Sequence, residues 1–69
     1  MAMILGYDFE DQKSCETAFS EIRQRFGAVV EMEEGGKSLC VTADGDVALV
    51  AGSIAEKYGG VEQVFKAAF

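Results

Sequence analysis

The 69-residue chain contains no histidine and only two cysteines, Cys15 and Cys40. Two cysteines outside a CxxC motif form neither a disulfide framework nor the usual soft-metal site. Without histidine, a cysteine or serine nucleophile also lacks its commonest activating base. We therefore expect two small buried or half-buried thiols, no metal or other cofactor, and a protein that is not an enzyme.

Positive charge is scarce too, because six basic residues stand against twelve acidic ones and the net charge is −6. This balance disfavours direct binding to nucleic acid or an anionic membrane and favours a basic protein partner. Solubility alone would also account for a charge of this size. No apolar run approaches the ~18 residues of a membrane-spanning helix. The N-terminal residues do not resemble a signal peptide, so we expect a cytoplasmic protein.

The hydrophobic content of 49% is sufficient for one small domain over residues 1–69, and its pattern centres on a hairpin at residues 28–43. Gly35 and Gly36 separate two alternating segments and suit a two-residue turn, because glycine adopts positive φ readily. The side chains predicted for one, helix-covered face of the sheet are Ala28, Val30, Met32, Leu39, Val41 and Ala43. Those predicted for the opposite, open face are Val29, Glu31, Glu33, Ser38, Cys40 and Thr42.

Two further segments are interpreted as strands. Residues 3–9 predict a central strand, since apolar residues occur on both of its faces. Its helix-covered face carries Met3, Leu5, Tyr7 and Phe9, and its open face carries Ile4, Gly6 and Asp8. Residues 61–69 could extend a helix or form a last strand, and a strand is favoured by the alternation of Val61, Phe65, Ala67 and Phe69.

The first helix is predicted over residues 12–26. Asp11 suits its N-cap, Arg23 and Arg25 suit the negative end of the helix dipole, and Gly27 suits its C-terminal stop. Its apolar stripe follows helical spacing and comprises Cys15, Ala18, Phe19, Ile22 and Phe26.

Residues 44–46 mark the predicted start of the second helix, with Asp44 or Asp46 as the candidate cap, and the glycine pair 59–60 marks its predicted end. Its predicted stripe comprises Val47, Val50, Ala51, Ile54, Ala55 and Tyr58. Gly52 lies among small residues, and we expect it to pack closely against the first helix rather than to form a dimer contact. Residues 44–46 resemble a fragment of a calcium loop, but the remaining ligands are missing, so a turn and cap is the preferred interpretation.

The order βαββαβ resembles the α+β, ferredoxin-like split βαβ fold, with a four-stranded antiparallel sheet in the order 4-1-3-2 and two helices on one face. This fold supports many functions and does not by itself identify one. The loop at residues 8–12 lacks the CxxC of metallochaperones, and the third strand lacks the aromatics of RNA-binding domains.

This topology makes the first two strands parallel, so their carboxyl ends meet at one end of the domain. Six acids are thereby brought together, with Lys13 and Lys37 as the nearby bases. We call them the acidic rim: Asp8, Glu10, Asp11, Glu31, Glu33 and Glu34.

Two functions are compatible with these patterns. The preferred hypothesis is a small acidic inhibitor whose rim occupies a basic, nucleic-acid-binding surface of a protein partner, as anti-CRISPR proteins of phages do. The alternative is a small-ligand-sensing regulatory domain or homo-oligomeric subunit, such as a homodimer formed through the open face.

Overall fold

Six secondary-structure elements follow one another in the predicted βαββαβ order. The computed structural model describes the backbone of residues 2–68 and the side chains of residues 2–63. The elements are β1 (Ala2–Asp8), α1 (Gln12–Phe26), β2 (Val30–Met32), β3 (Ser38–Asp44), α2 (Gly45–Lys57) and β4 (Val61–Ala68). The last segment is therefore a strand, as its alternation predicts. Phe69, the predicted end of that strand, lies outside the described residues.

The four strands form one sheet in the order β2-β3-β1-β4, which is the predicted 4-1-3-2 order read from the other edge. Every neighbouring pair is antiparallel. In this register the end of β1 lies between the starts of two strands, because Asp8 is opposite Ser38 of β3 and Val61 of β4. The protein thus has an α+β fold with a ferredoxin-like layout, and β1 is the central strand that its two apolar faces predict.

The core lies between the sheet and the helices and follows the predicted periodicities closely. Burial of apolar surface on this scale is the main stabilising term in a small domain. On the sheet side, the core comprises Leu5 and Tyr7 of β1, Phe9 just after β1, Val30 of β2, and Leu39, Val41 and Ala43 of β3. From the two helices it takes Cys15, Ala18, Ile22, Ala48, Ala51, Ile54 and Ala55.

Both helices end as the sequence predicts. The Asp11 side chain accepts a 2.7 Å hydrogen bond from the Ser14 backbone N–H at the start of α1, and Gly27 follows its end with a φ of 78°. After α2, the Gly60 and Gly59 N–H groups donate to the carbonyls of Ala55 and Glu56. This pair of bonds defines a Schellman motif, which requires the positive φ of 92° that Gly59 adopts.

Two residues of α2 depart from the expectations. Val50 is 43% exposed, whereas Ala48 is buried in its place. Val50 lies about 100° around the helix from Ala51, on the side away from the sheet. Gly52 packs against the hydroxyl group of Tyr7 in β1, so its predicted contact with the first helix is wrong.

The β2–β3 connection is longer than the predicted two-residue turn, although Gly35 and Gly36 have the expected positive φ of 97° and 72°. The hydrogen bond that closes it joins the Glu33 N–H to the Ser38 carbonyl at 2.9 Å. The Lys37 carbonyl instead accepts from the Phe9 N–H at 2.8 Å. Because successive residues of a strand direct their backbone groups to opposite edges, Lys37 cannot also pair with β2.

Two predicted side-chain orientations in β2 and β4 are also wrong. β2 spans three residues rather than seven, and Val29 precedes it and packs against the core. In β4, the register shifts between Gly6 and Tyr7 of β1, so Val61 lies opposite Asp8 instead of continuing the predicted alternation. Val61 is 59% exposed as a result. The side chains of Phe65 and Ala67 lie outside the described part of the chain, so their orientations stay predictions.

Candidate functional site

The acidic rim is assembled where β1 ends beside the β2–β3 connection. The Ser38 hydroxyl donates a 2.6 Å hydrogen bond to Asp8 Oδ1, and the Ser38 carbonyl accepts from the Glu33 N–H. Asp8 and Glu33 consequently line the same depression of the open face. One serine therefore holds acids from two separate segments at one place.

Glu10 and Asp11 lie in the short connection from β1 to α1, which is attached to the same hairpin. Phe9 is buried beneath this connection, and its N–H binds the Lys37 carbonyl. Gly36 is buried against the Gln12 side chain, which would lie only 3.1 Å from an added Cβ. These contacts hold the two acidic connections against each other.

Asp11 is the rim acid whose environment is best defined. The Ser14 N–H stabilises its charged form, and this hydrogen bond lowers the pKa of the carboxyl below its ordinary value. The positive charges of Lys13 and Lys37 act in the same direction. Asp11 thus combines a structural role, capping α1, with a negative charge on the protein surface.

Glu34 lies in the β2–β3 connection beside Glu33. Glu31 lies within β2, opposite Cys40 and one residue before the end of that strand. All six rim acids are exposed. The structure therefore gathers four of them on the two joined connections, with Asp8 at the end of β1 beside them, and it places Glu31 next to the group.

The fold adds two acids to this end that the sequence reasoning missed, Glu56 at the end of α2 and Glu62 at the start of β4. Both follow from the strand order, because β4 runs antiparallel to β1 and must begin where β1 ends. The predicted 4-1-3-2 order contained this information. Eight of the twelve acids of the chain thus lie at or next to one end of the domain.

Charge is balanced at the other end. Arg23 and Arg25 lie in the last turn of α1, and Asp44 and Asp46 lie at the start of α2. The excess negative charge is therefore concentrated at one end of the molecule rather than spread over it.

The two cysteines lie in different environments. Cys15 is fully buried, and burial, reinforced by the nearby Glu16 charge, raises its pKa above the ordinary value. Cys40 is half-buried on the open face. Among the side chains of residues 2–63, no three histidine, cysteine or acidic residues form a group that could hold a metal ion.

No helix in the described part of the chain is long and apolar enough to cross a bilayer. A scan against protein-family models finds no match for this chain, and a search of the curated proteins finds none either.

Proposed function

We propose that this protein is a non-enzymatic interaction module whose acidic rim binds a basic surface of a protein partner. In its specific form, the module is an inhibitor that occupies a nucleic-acid-binding groove of that partner, as anti-CRISPR-type proteins do. The observation that carries this proposal is the concentration of exposed carboxylates on two connections that are attached to each other. The six contact residues are Asp8, Glu10, Asp11, Glu31, Glu33 and Glu34.

The rim suits such a partner because part of it is already ordered. Asp8 is oriented by Ser38, Asp11 by the Ser14 N–H, and the hairpin by the bond between Phe9 and Lys37. Ordering flexible side chains and loops upon association opposes binding, so carboxylates fixed beforehand bind at a lower entropic cost. A basic groove that accepts phosphates offers cations that such carboxylates can neutralise.

The first test is an affinity pull-down from the native host, eluted over a salt gradient and identified by mass spectrometry. We expect a basic, nucleic-acid-handling protein that is released steeply as salt rises, because screening weakens exposed charge pairs. Recovery of a partner whose binding does not respond to salt would contradict the proposal.

The second test separates the position of the charges from their number. Neutralising Glu31, Glu33 and Glu34 together to glutamine should weaken partner binding about tenfold or more. The matched control places three lysines on exposed positions at the other end, by Gln24→Lys, Ala28→Lys and Thr42→Lys. It changes the net charge equally and should retain most of the affinity. Equal losses in both variants would show that the rim itself is not the contact surface.

The alternative proposal, a homo-oligomeric or ligand-sensing domain, is favoured by one feature. The helices cover one face of the sheet, and the open face contains a depression of about 260 Å³ around the half-buried Ile4, Gly6 and Cys40. Light scattering distinguishes the two proposals. A stable dimer would support this alternative, whereas a monomer at micromolar concentration would support the inhibitor.

A further inference from the structure

A second cleft lies on the helix-covered side of the sheet, between α2 and the β1–β4 pair. Its volume is about 300 Å³, at the lower limit of the range for small-ligand sites. We call it the α2–β4 cleft. Its polar end is formed by Tyr7, Glu56 and Glu62, and its apolar wall by Met3, Leu5 and Leu49. None of these residues belongs to the acidic rim.

The hydroxyl of Tyr7 is the buried polar group of this cleft. Tyr7 is only 2% exposed, and its hydroxyl contacts Glu62 Oε1 at 3.5 Å. Hydroxyl hydrogen bonds in proteins are usually 2.7–2.8 Å long, so this hydrogen bond is a long and weak one. Gly52 provides the space for it, because a Cβ there would approach the hydroxyl to 2.3 Å.

The polar end of the cleft is electrostatically negative. Burial, and then the charges of Glu62 and Glu56, raise the pKa of Tyr7 to about 12, so both carboxylates act on its hydroxyl. Lys57, the nearest base in sequence to Glu56, contacts Glu21 instead, at 4.0 Å. Among the described side chains, no cation forms a salt bridge with Glu56 or Glu62.

The hydrogen-bonding capacity of the cleft identifies the class of ligand. Two carboxylates and a phenolic oxygen offer acceptors, which match the donors of an ammonium or guanidinium group. The adjacent apolar wall includes Leu49, which is 65% exposed and would be covered by an alkyl chain. A metal ion fits less well, because the described residues bring no third ligating side chain to these carboxylates.

We propose that the α2–β4 cleft binds a small organic cation, a primary ammonium or guanidinium group carried on an apolar stem. The cation lies between Glu56 and Glu62, and the stem packs along Met3, Leu5 and Leu49. The same chemistry occurs in a free amine and in the lysine or arginine side chain of a protein. This site does not depend on the acidic rim, and its test uses different residues.

The experiment is a titration of the isotopically labelled chain with hexylammonium chloride, followed by two-dimensional NMR. We expect saturable shifts centred on the amides of Gly52, Glu56 and Glu62. The uncharged 1-hexanol and the anionic hexanoate should bind about tenfold more weakly or not at all. Shifts that are instead spread over the rim acids, or equal affinity for 1-hexanol, would overturn the proposal.

Variants test the two parts of the site separately. The double substitution Glu56→Gln and Glu62→Gln keeps the size of both side chains and should weaken binding about tenfold or more. The matched control, Glu16→Gln with Asp46→Asn, changes the net charge equally at two exposed acids outside both the rim and the cleft, and it should leave amine binding within about twofold. Unchanged affinity in the first double variant would overturn the proposal.

A further variant and a second probe complete the test. Leu49→Gln alters an exposed side chain, so it should preserve the fold while reducing affinity a few-fold through loss of the apolar wall. The second probe, N-acetyl-lysine methylamide, distinguishes a lysine side chain of a partner from a free amine as the ligand of the cleft. Affinity equal to that of hexylammonium supports a partner's side chain, and weaker affinity supports a free amine. No measurable binding of either probe contradicts the site.

Discussion

Tyr7 and Gly52 form a contact in which each residue constrains the identity of the other. The aromatic ring fills the core below α2, and its hydroxyl occupies the space that any larger residue at position 52 would need. Glycine inside a helix costs about 1 kcal/mol relative to alanine, so α2 tolerates a local cost here in order to accommodate the hydroxyl. The pair also defines the floor of the α2–β4 cleft.

Gly52→Ala should therefore destabilise the protein despite the better helix propensity of alanine. The added Cβ would lie 2.3 Å from the Tyr7 hydroxyl, so the helix or the ring must move. Overpacking of this kind costs about 1–3 kcal/mol, which urea denaturation measures directly.

The control is the same substitution in a Tyr7→Phe background. Removing the hydroxyl leaves the ring carbon Cζ as the nearest atom, 3.4 Å from the new Cβ. There Gly52→Ala should cost little or stabilise the protein by up to about 1 kcal/mol. An equal cost in both backgrounds would show that the hydroxyl is not the obstacle.

Tyr7 should also make stability depend on pH in the alkaline range. Its pKa is 10.0 ordinarily and about 12 in the folded protein. Between these values the unfolded chain binds fewer protons than the folded one, so the free energy of unfolding falls as pH rises, by up to about 1.4 kcal/mol per pH unit. Below pH 10 this contribution is constant.

The measurement is an ultraviolet titration of the Tyr58→Phe variant, in which Tyr7 is the remaining tyrosine of the two. The tyrosinate signal should have its midpoint near pH 12 in the folded protein. In concentrated urea the midpoint should move to about 10. A folded-state midpoint near 10 would contradict the assigned burial.

At the scale of the elements, the ends of the helices decide how each helix joins the sheet. The Schellman motif after α2 reverses the chain within three residues and starts β4 directly opposite Asp8. The position of Glu62, and with it the polar end of the α2–β4 cleft, depends on this turn.

Gly59→Ala should destabilise the protein by about 1 kcal/mol, because a φ of 92° is unfavourable for a residue with a Cβ. No atom of the described side chains or backbone lies within 4 Å of the Cβ that would be added, so the expected cost is that of the backbone conformation. Thermal or urea denaturation would measure it.

Gly45→Ala is the matched control, because Gly45 lies at the start of the same helix without a positive φ. Among the described residues, its added Cβ would contact only Met3 Sδ, at 3.8 Å. The substitution should be neutral or slightly stabilising. A cost as large as that of Gly59→Ala would contradict the explanation by backbone conformation.

For the whole molecule, the dominant property is the concentration of acids at one end. Like charges close together repel, so a rim retained for binding should reduce stability, as functional sites often do. A rim that served only the fold would have the opposite effect. Stability measurements therefore bear on function here.

Neutralising Glu31, Glu33 and Glu34 to glutamine should raise the free energy of unfolding by roughly 0.5 kcal/mol at low ionic strength. The gain should disappear in molar salt, because screening removes the repulsion. The measurement is urea denaturation at two salt concentrations. A loss of stability at low salt would show that these acids support the fold instead.

Much of the fold could be predicted because its signals are local. The period-2 alternation of residues 37–43 and the helical spacing of Cys15, Ala18 and Ile22 correctly predicted the buried faces. Asp11 and Gly59 marked helix ends through their own side-chain and backbone chemistry. The strand order followed from the handedness of crossover connections, and it correctly brought the carboxyl ends of β1 and β2 to one end of the sheet.

The predictions that failed concern features that depend on contacts between segments distant in sequence. The bulge that exposes Val61 depends on how β4 pairs with β1, and the length of the β2–β3 connection depends on the bond that Lys37 makes to Phe9. No spacing within either segment contains that information.

The sequence by itself determined the elements, their order, the core faces and the charge, because these depend on residue types at short separations. The tertiary structure alone decided the α2–β4 cleft, which requires the Tyr7 hydroxyl, Gly52 and Glu62 to meet from three separate elements. Such contacts depend on register and on the approach of a helix to the sheet. A small shift in the register or in the helix position would break these contacts without changing any local sequence pattern.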